Sequence, residues 1–119
     1  MHIQECAFGL GLFSDNTYQE GYVIGIVEGP IVTREEATDY AIEPKPGLYI
    51  ETQGPLRYIN HSCSSNCELL GERVVVSKRA IQPGEQLFLD YSTFIYDDWA
   101  MECKCGEPGC RGLIECHHL

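Results

Sequence analysis

A mostly β fold is what this sequence predicts. Three observations carry that expectation: short runs of β-branched residues, Gly/Pro turns that interrupt them every few positions, and little helical periodicity. In chain order, Phe8-Gly9-Leu10-Gly11-Leu12-Phe13 sets two glycines among apolar residues. Residues 22–27, Tyr-Val-Ile-Gly-Ile-Val, form a buried strand that Gly29-Pro30 breaks. Thr33-Arg34-Glu35-Glu36 has the capping-box spacing, a Thr N-cap with Glu three positions on, and predicts a short helix. Glu43-Pro44-Lys45-Pro46-Gly47 is a turn or loop, and residues 48–52 make a strand closed by Gly54-Pro55. Val74-Val75-Val76 is a short strand, and the turn Gln82-Pro83-Gly84-Glu85 leads into another at 86–89. From Tyr96 onward the chain is rich in Gly and Cys, cannot build a core alone, and needs a metal or a neighbour to order it.

At 119 residues there is room for one domain with a modest core. No internal repeat, low-complexity tract or linker divides it. The absence of about 18 consecutive apolar residues argues against a membrane span. Met1-His2-Ile3-Gln4-Glu5 lacks the basic and apolar regions of a signal peptide, so an intracellular, reducing compartment is expected: nucleus if the source is eukaryotic, cytoplasm if bacterial. Seven cysteines cannot all pair within one chain, and four zinc ligands plus three free thiols is the simpler account. A net charge of −10 disfavours direct nucleic-acid binding, which needs clustered Lys and Arg. The same field attracts a basic, lysine-containing protein or peptide, although acidity also serves solubility alone. No dimer stripe is visible, and monomer and homodimer both stay open.

Three segments carry chemistry. Cys103, Cys105 and Cys110 form C-x-C-x4-C, with Gly106, Pro108 and Gly109 permitting the tight turns that converging thiolates require. Tetrahedral zinc takes four soft ligands and this segment supplies three. Spacing leaves the fourth open among Cys63, Cys67, Cys116, His117 and His118. Asn60-His61 within Arg57-Tyr58-Ile59-Asn60-His61-Ser62-Cys63 reads, on its own, as a buried polar pair holding a turn. Tyr91 closes Gly84-Glu85-Gln86-Leu87-Phe88-Leu89-Asp90-Tyr91, where a lone strand-end tyrosine is most often a packing residue.

In this order and at these separations, the three segments resemble the second half of a SET domain followed by its post-SET zinc tail. The resemblance covers about residues 6–115. It implies a fold of small β-sheets around a threaded, pseudoknot-like segment, with 1–95 as SET domain, a short central insert at about 38–53, and 96–119 as post-SET tail. It further implies a protein-lysine N-methyltransferase using S-adenosylmethionine, with Tyr91 as the catalytic side chain where amine meets methyl. Gly9-Leu10-Gly11-Leu12 resembles the family's N-terminal Gly-x-Gly loop against the methionine end of the cofactor. By the same likeness Arg57, Tyr58, Asn60 and His61 lie on the cofactor's side, and Leu113 or Ile114 packs on the adenine, as Trp99 echoes the tail. Cys63 would join Cys103, Cys105 and Cys110 around one structural zinc, with Cys116 the leading substitute and Cys67 a spare thiol.

The chain departs from the family pattern in places. Val27 stands where a channel tyrosine is usual, and Leu89 where Phe or Tyr is usual two residues before Tyr91, which points to addition of several methyls. Ser65-Asn66 replaces Pro-Asn, and the short insert implies loose sequence selectivity. Val27, Leu89 and the lack of a pre-SET region also allow an alternative: a catalytically degenerate SET module that binds a protein partner, with or without cofactor.

Overall fold

The structure, a computed structural model, describes residues 1–6, 9–94, 100–102 and 110–115. Twelve strands lie among them: β1 (His2–Cys6), β2 (Gly9–Phe13), β3 (Val23–Ile26), β4 (Ile31–Val32), β5 (Ala41–Lys45), β6 (Leu48–Glu51), β7 (Asn60–His61), β8 (Cys67–Leu70), β9 (Val74–Ser77), β10 (Phe88–Leu89), β11 (Ala100–Glu102) and β12 (Leu113–Glu115). Two single 3-10 turns, Pro55–Tyr58 and Tyr91–Phe94, are the helical segments among the described residues. No described helix is long and apolar enough to cross a membrane.

The strands make five small sheets: the pairs β1-β2, β10-β7 and β11-β12, and the three-stranded β3-β9-β8 and β4-β6-β5. All pairings are antiparallel except β10 with β7, where Phe88 lies opposite Asn60 and Leu89 opposite His61. That parallel pair joins two motifs 28 positions apart in the chain and returns the motif that ends at Tyr91 beside Asn60-His61. On its other side the same segment meets β2, with Leu87 N–H donating to Leu12 O (2.8 Å) and Ser14 N–H to Glu85 O (2.9 Å). No single sheet could bury much, so the core forms where the sheets meet: Leu12, Ile24, Val27, Ile50, Leu56, Ile59, Cys67, Val75, Ile81, Leu87 and Leu89.

The strands expected over residues 22–27, 48–52 and 74–76 appear as β3, β6 and β9. The first is not buried as expected: Ile24 faces the core while Tyr22, Val23 and Ile26 are exposed, because one face of its sheet is open to solvent. The helix expected after Thr33 does not form. Its capping box does: Glu36 N–H donates to Thr33 Oγ1 (3.3 Å) and Thr33 N–H donates to Glu36 Oε1 (3.0 Å). It closes one turn, with Ala37 N–H reaching Thr33 O (3.1 Å). Thr38 and Asp39 are poor helix formers and cannot propagate a nucleus this short. The Thr38 hydroxyl and N–H instead donate to the Glu51 carboxylate.

The expected loop at 43–47 is half strand. β5 runs through Pro44 to Lys45, and only Pro46-Gly47 turns. Pro44 is tolerated because the β5-β6 register shifts between Ile42 and Lys45, a bulge on an edge strand. The β1-β2 hairpin and β8 lack the alternation that marks strands in sequence, and pairing alone defines them.

Candidate functional site

Residues from four segments line one cleft of about 240 Å³: Leu10 from β2, Asp39 and Tyr40 before β5, Arg57 and Tyr58 from the first 3-10 turn, and Asn60 with Tyr91. Each arrives for a local reason. Pro55 fixes the start of the 3-10 turn, which ends as Ile59 returns to extended backbone, so Arg57 and Tyr58 sit one step before β7. The Arg57 guanidinium lies 4.0 Å from the Tyr40 ring centroid and 5.5 Å from that of Tyr58, and the two rings meet edge-on at 6.2 Å. Arg57 Nε is buried without a hydrogen-bond partner, a donor facing no acceptor of the protein.

Tyr91 is anchored at three points. Its hydroxyl donates to Ile59 O (2.6 Å), its N–H donates to His61 Nδ1 (2.9 Å), and its ring tilts against the His61 ring at 5.3 Å. Burial pushes the phenol up to about 12, so it is neutral at physiological pH. A neutral phenol whose proton points at a carbonyl presents its oxygen lone pairs elsewhere: it orients as an acceptor and does not serve as a ready base.

His61 accepts the Tyr91 amide at Nδ1, so its proton sits on Nε2, 3.5 Å from Cys63 Sγ. Burial, only partly countered by Asp90, holds the imidazole below its ordinary value and keeps it neutral. Cys63 Sγ also lies 3.4 Å from the Arg111 N–H, which places the Cys110–Arg111 junction against it. The His61 ring and the Arg111 main chain thus converge on one sulfur. Cys103 and Cys105 lie outside the described residues, and so do Trp99, Cys116, His117 and His118. Among the described residues no group of three or more His, Cys, Asp or Glu is placed to hold a metal. Cys67 is packed in the core, where burial pushes its thiol up to about 12, and it is no ligand candidate.

The Asn60 amide donates to Leu10 O (3.0 Å) and Gln86 Oε1 (3.1 Å), tying β7 to β2 and to the segment before β10. A Cβ on Gly11 would meet that Gln86 oxygen at 2.6 Å and Cys6 Sγ at 3.1 Å, so the Gln86 side chain would have to shift away from it. Its bareness admits a protein side chain. Gly9 opens β2, and Leu12 is fully buried in the core away from the cleft lining. Val27 and Leu89, expected along the substrate channel, are each 4% exposed and belong to the core cluster beneath Tyr91. The backbone of Ile114 pairs with Met101 across β11-β12.

Sequence reasoning missed four contributors. Asp39 and Tyr40 reach the cleft from the insert, whose turn signals gave its bounds but not which side chains face inward. Asn66, 2% exposed, donates to Gln86 O and accepts from Phe88 N–H, both 2.8 Å, clasping the segment that leads to Tyr91. Arg111 forks onto Asp90 at 2.7 and 3.0 Å.

A family model described as SET domain matches residues 9–92. The chain is 36% identical over 86 residues to histone-lysine N-methyltransferase ash1 of Drosophila melanogaster, covering 63% of this chain and 4% of that protein. It is 36% identical over 85 residues to an H3 lysine-36 specific histone-lysine N-methyltransferase of Mycosarcoma maydis (63% and 9%), and 30% identical over 130 residues to histone-lysine N-methyltransferase TRX1 of Oryza sativa subsp. japonica (89% and 13%). The chain thus spans about a tenth or less of the length of most of these relatives. Two crystal structures of KRYPTONITE share the fold. The complex with mCHH DNA, H3(1-15) peptide and SAH has a TM-score of 0.72 at 24% identity, covering 94% of this chain and 29% of that one. The complex with mCHG DNA and SAH has a TM-score of 0.74 at 23% identity, covering 94% and 28%. DNA is part of both complexes, of whose chains this one covers less than a third.

Proposed function

This chain belongs to the SET domain family, and from that premise we propose that it is a protein-lysine N-methyltransferase. The observation that carries the proposal is Tyr91: a neutral, buried phenol anchored to Ile59 O and His61, at the wall of a cleft shared with Asn60, Arg57, Tyr58 and Tyr40. Bound S-adenosylmethionine would supply an electrophilic methyl group. The orphaned Arg57 Nε and the aromatic rings of Tyr40 and Tyr58 fit a polar, partly planar guest of that kind.

The chain's own residues then do the positioning. The Tyr91 oxygen, its proton directed to Ile59 O, accepts a hydrogen bond from the target amine and turns the amine's lone pair toward the incoming methyl. A lysine amine is almost wholly protonated at neutral pH, and an apolar, water-poor surrounding lowers its pKa so that a neutral fraction exists. The apolar core cluster against which Tyr91 packs backs that surrounding, and Leu89 within it carries no hydroxyl to hold water, which supports addition of more than one methyl. A basic, lysine-containing protein or peptide is the expected substrate, drawn by the net charge of −10 and by Asp39 at the cleft. Histone tails are of this class, and the name of each relative above includes histone-lysine methylation.

Zinc belongs to the same reading. Cys63 and Cys110 would hold it with Cys103 and Cys105, ordering 96–119 as a tail behind a domain of residues 1–95; the contact of Cys63 Sγ with the N–H of Arg111, next to Cys110, supports this. An intracellular location, nuclear or bacterial-cytoplasmic, goes with it.

The test is Tyr91→Phe in zinc-loaded protein given S-adenosylmethionine and mixed basic proteins. Wild type should add methyls to lysine, read by mass spectrometry. The variant should keep cofactor binding by calorimetry and lose roughly 10²-fold or more in rate, the usual cost of one positioned hydroxyl. Cofactor binding without methyl transfer by the wild type would favour a partner-binding module instead.

A further inference from the structure

Asp90 and Arg111 form a contact that the roles above do not use. Arg111 Nη2 lies 2.7 Å from Asp90 Oδ1 and Nη1 lies 3.0 Å from Oδ2, a two-armed fork, while Nη2 also reaches Ser92 Oγ at 3.3 Å. The pair is half-sheltered, with side chains 16% exposed for Asp90 and 33% for Arg111. Asp90 Oδ1 is already taken up by its own turn, accepting from Ser92 N–H (3.1 Å) and Ser92 Oγ–H (2.7 Å). Ser92 is fully buried, and this Asp–Ser closure fixes the start of the 3-10 turn that begins at Tyr91. Arg111, for its part, immediately precedes the turn into β12 and donates its own N–H to Cys63 Sγ. One carboxylate therefore sets the backbone on which Tyr91 stands and receives the only described guanidinium that reaches it from the C-terminal tail.

We propose that Arg111 is a positioning residue: by gripping Asp90 it fixes the Tyr91 turn and holds the tail against that turn through one shared carboxylate. Tail docking and tyrosine placement are then one event. The proposal deepens the methyltransferase reading and rests on it for the role of Tyr91. The fork geometry matters as much as the charge, because only a planar guanidinium satisfies both carboxylate oxygens at once while still reaching Ser92. Lysine at 111 keeps the charge and loses one arm. Asparagine at 90 keeps the shape and replaces one acceptor with a donor that faces the guanidinium.

The experiment compares wild type, Arg111→Ala, Arg111→Lys, Asp90→Asn and the Asp90→Asn/Arg111→Ala double variant, all as the full chain loaded with zinc. Amide hydrogen exchange needs no substrate and is read first. In Arg111→Ala, exchange at Tyr91–Thr93 and across 110–115 should rise together by about tenfold or more, with Val75 in the central strand β9 unchanged. Arg111→Lys should fall between wild type and alanine. Wild-type exchange at Tyr91–Thr93 in Arg111→Ala would overturn the proposal, and so would an equal rise at Val75, which would mark global loosening. In the methylation assay kcat should fall about tenfold or more in Arg111→Ala with smaller change in peptide KM, and the double variant should be no worse than Arg111→Ala alone. Additive losses would refute the shared bond. A wild type without activity would defeat the methyltransferase reading, and the exchange pattern would still decide the role of Arg111.

Discussion

Asn66→Ala offers the sharpest test of how this fold holds its candidate catalytic residue. The Asn66 amide is 2% exposed and bonds main chain across the motif boundary, Nδ2 to Gln86 O and Oδ1 to Phe88 N–H, each at 2.8 Å, while Oδ1 also accepts from the Cys67 thiol at 3.5 Å. Those bonds lock the segment that pairs with β7 on one side and β2 on the other. Removing the amide weakens the pairing of two sheltered backbone groups at about 1–1.5 kcal/mol each, with a further contribution from the space left. The sum is about 2–4 kcal/mol, a large share of the roughly 5–15 kcal/mol typical of a single domain. For a chain this size that lowers Tm by about 10 °C. Asn66→Asp keeps the acceptor for Phe88 but sets a carboxylate against Gln86 O, and should be at least as damaging. Thermal and urea unfolding of both variants, beside alanine at the exposed Asn16, gives the measurement. A loss under about 0.5 kcal/mol for Asn66→Ala would refute the clasp, because surface changes without such bonds fall in that range.

Other outcomes are equally concrete. Cys67, fully buried with its thiol pushed up to about 12, should resist iodoacetamide in the folded chain and react only after denaturation, as peptide mapping would show. Gly29→Ala should cost about 2 kcal/mol or more in urea unfolding, since φ is 134° and the added Cβ would run into the Glu51 carbonyl oxygen. Burial resists ionisation of Asp90, but the Arg111 and Ser92 hydrogen bonds outweigh it and hold the carboxyl below its ordinary 3.8. A depressed folded pKa stabilises the protein above the unfolded value, and that contribution is lost as pH falls through the folded pKa. Acid titration of stability should therefore show a loss below about pH 4 that Asp90→Asn flattens, measured by thermal melts across pH 2–6. Identical acid limbs in the two proteins would contradict it.

The sequence by itself determined the mostly β class of the fold and named residues that the cleft gathers. β-branched runs and Gly/Pro stops placed β3, β6 and β9, because these signals act over a few residues and need no partner. Motif order was enough to name Tyr91, Asn60, His61, Arg57 and Tyr58, and the cleft does gather four of them, with His61 just behind Tyr91. Only tertiary structure decided what depends on contacts between distant segments. The helix signal at Thr33 satisfied its local hydrogen bonds and still stopped after one turn, with Glu51 taking the Thr38 groups. Pro44 entered a strand because a bulge on an edge accommodates it. Gly11 proved to make room for Gln86, 75 positions away, and Asn66 proved to be a clasp, since a side chain's partners are invisible until the sheets meet. Tyr40 reached the cleft, Val27 and Leu89 went into the core beneath it, and Arg111 found Asp90 across 21 residues. Local propensity writes the pieces, and long-range packing and hydrogen bonding choose their partners.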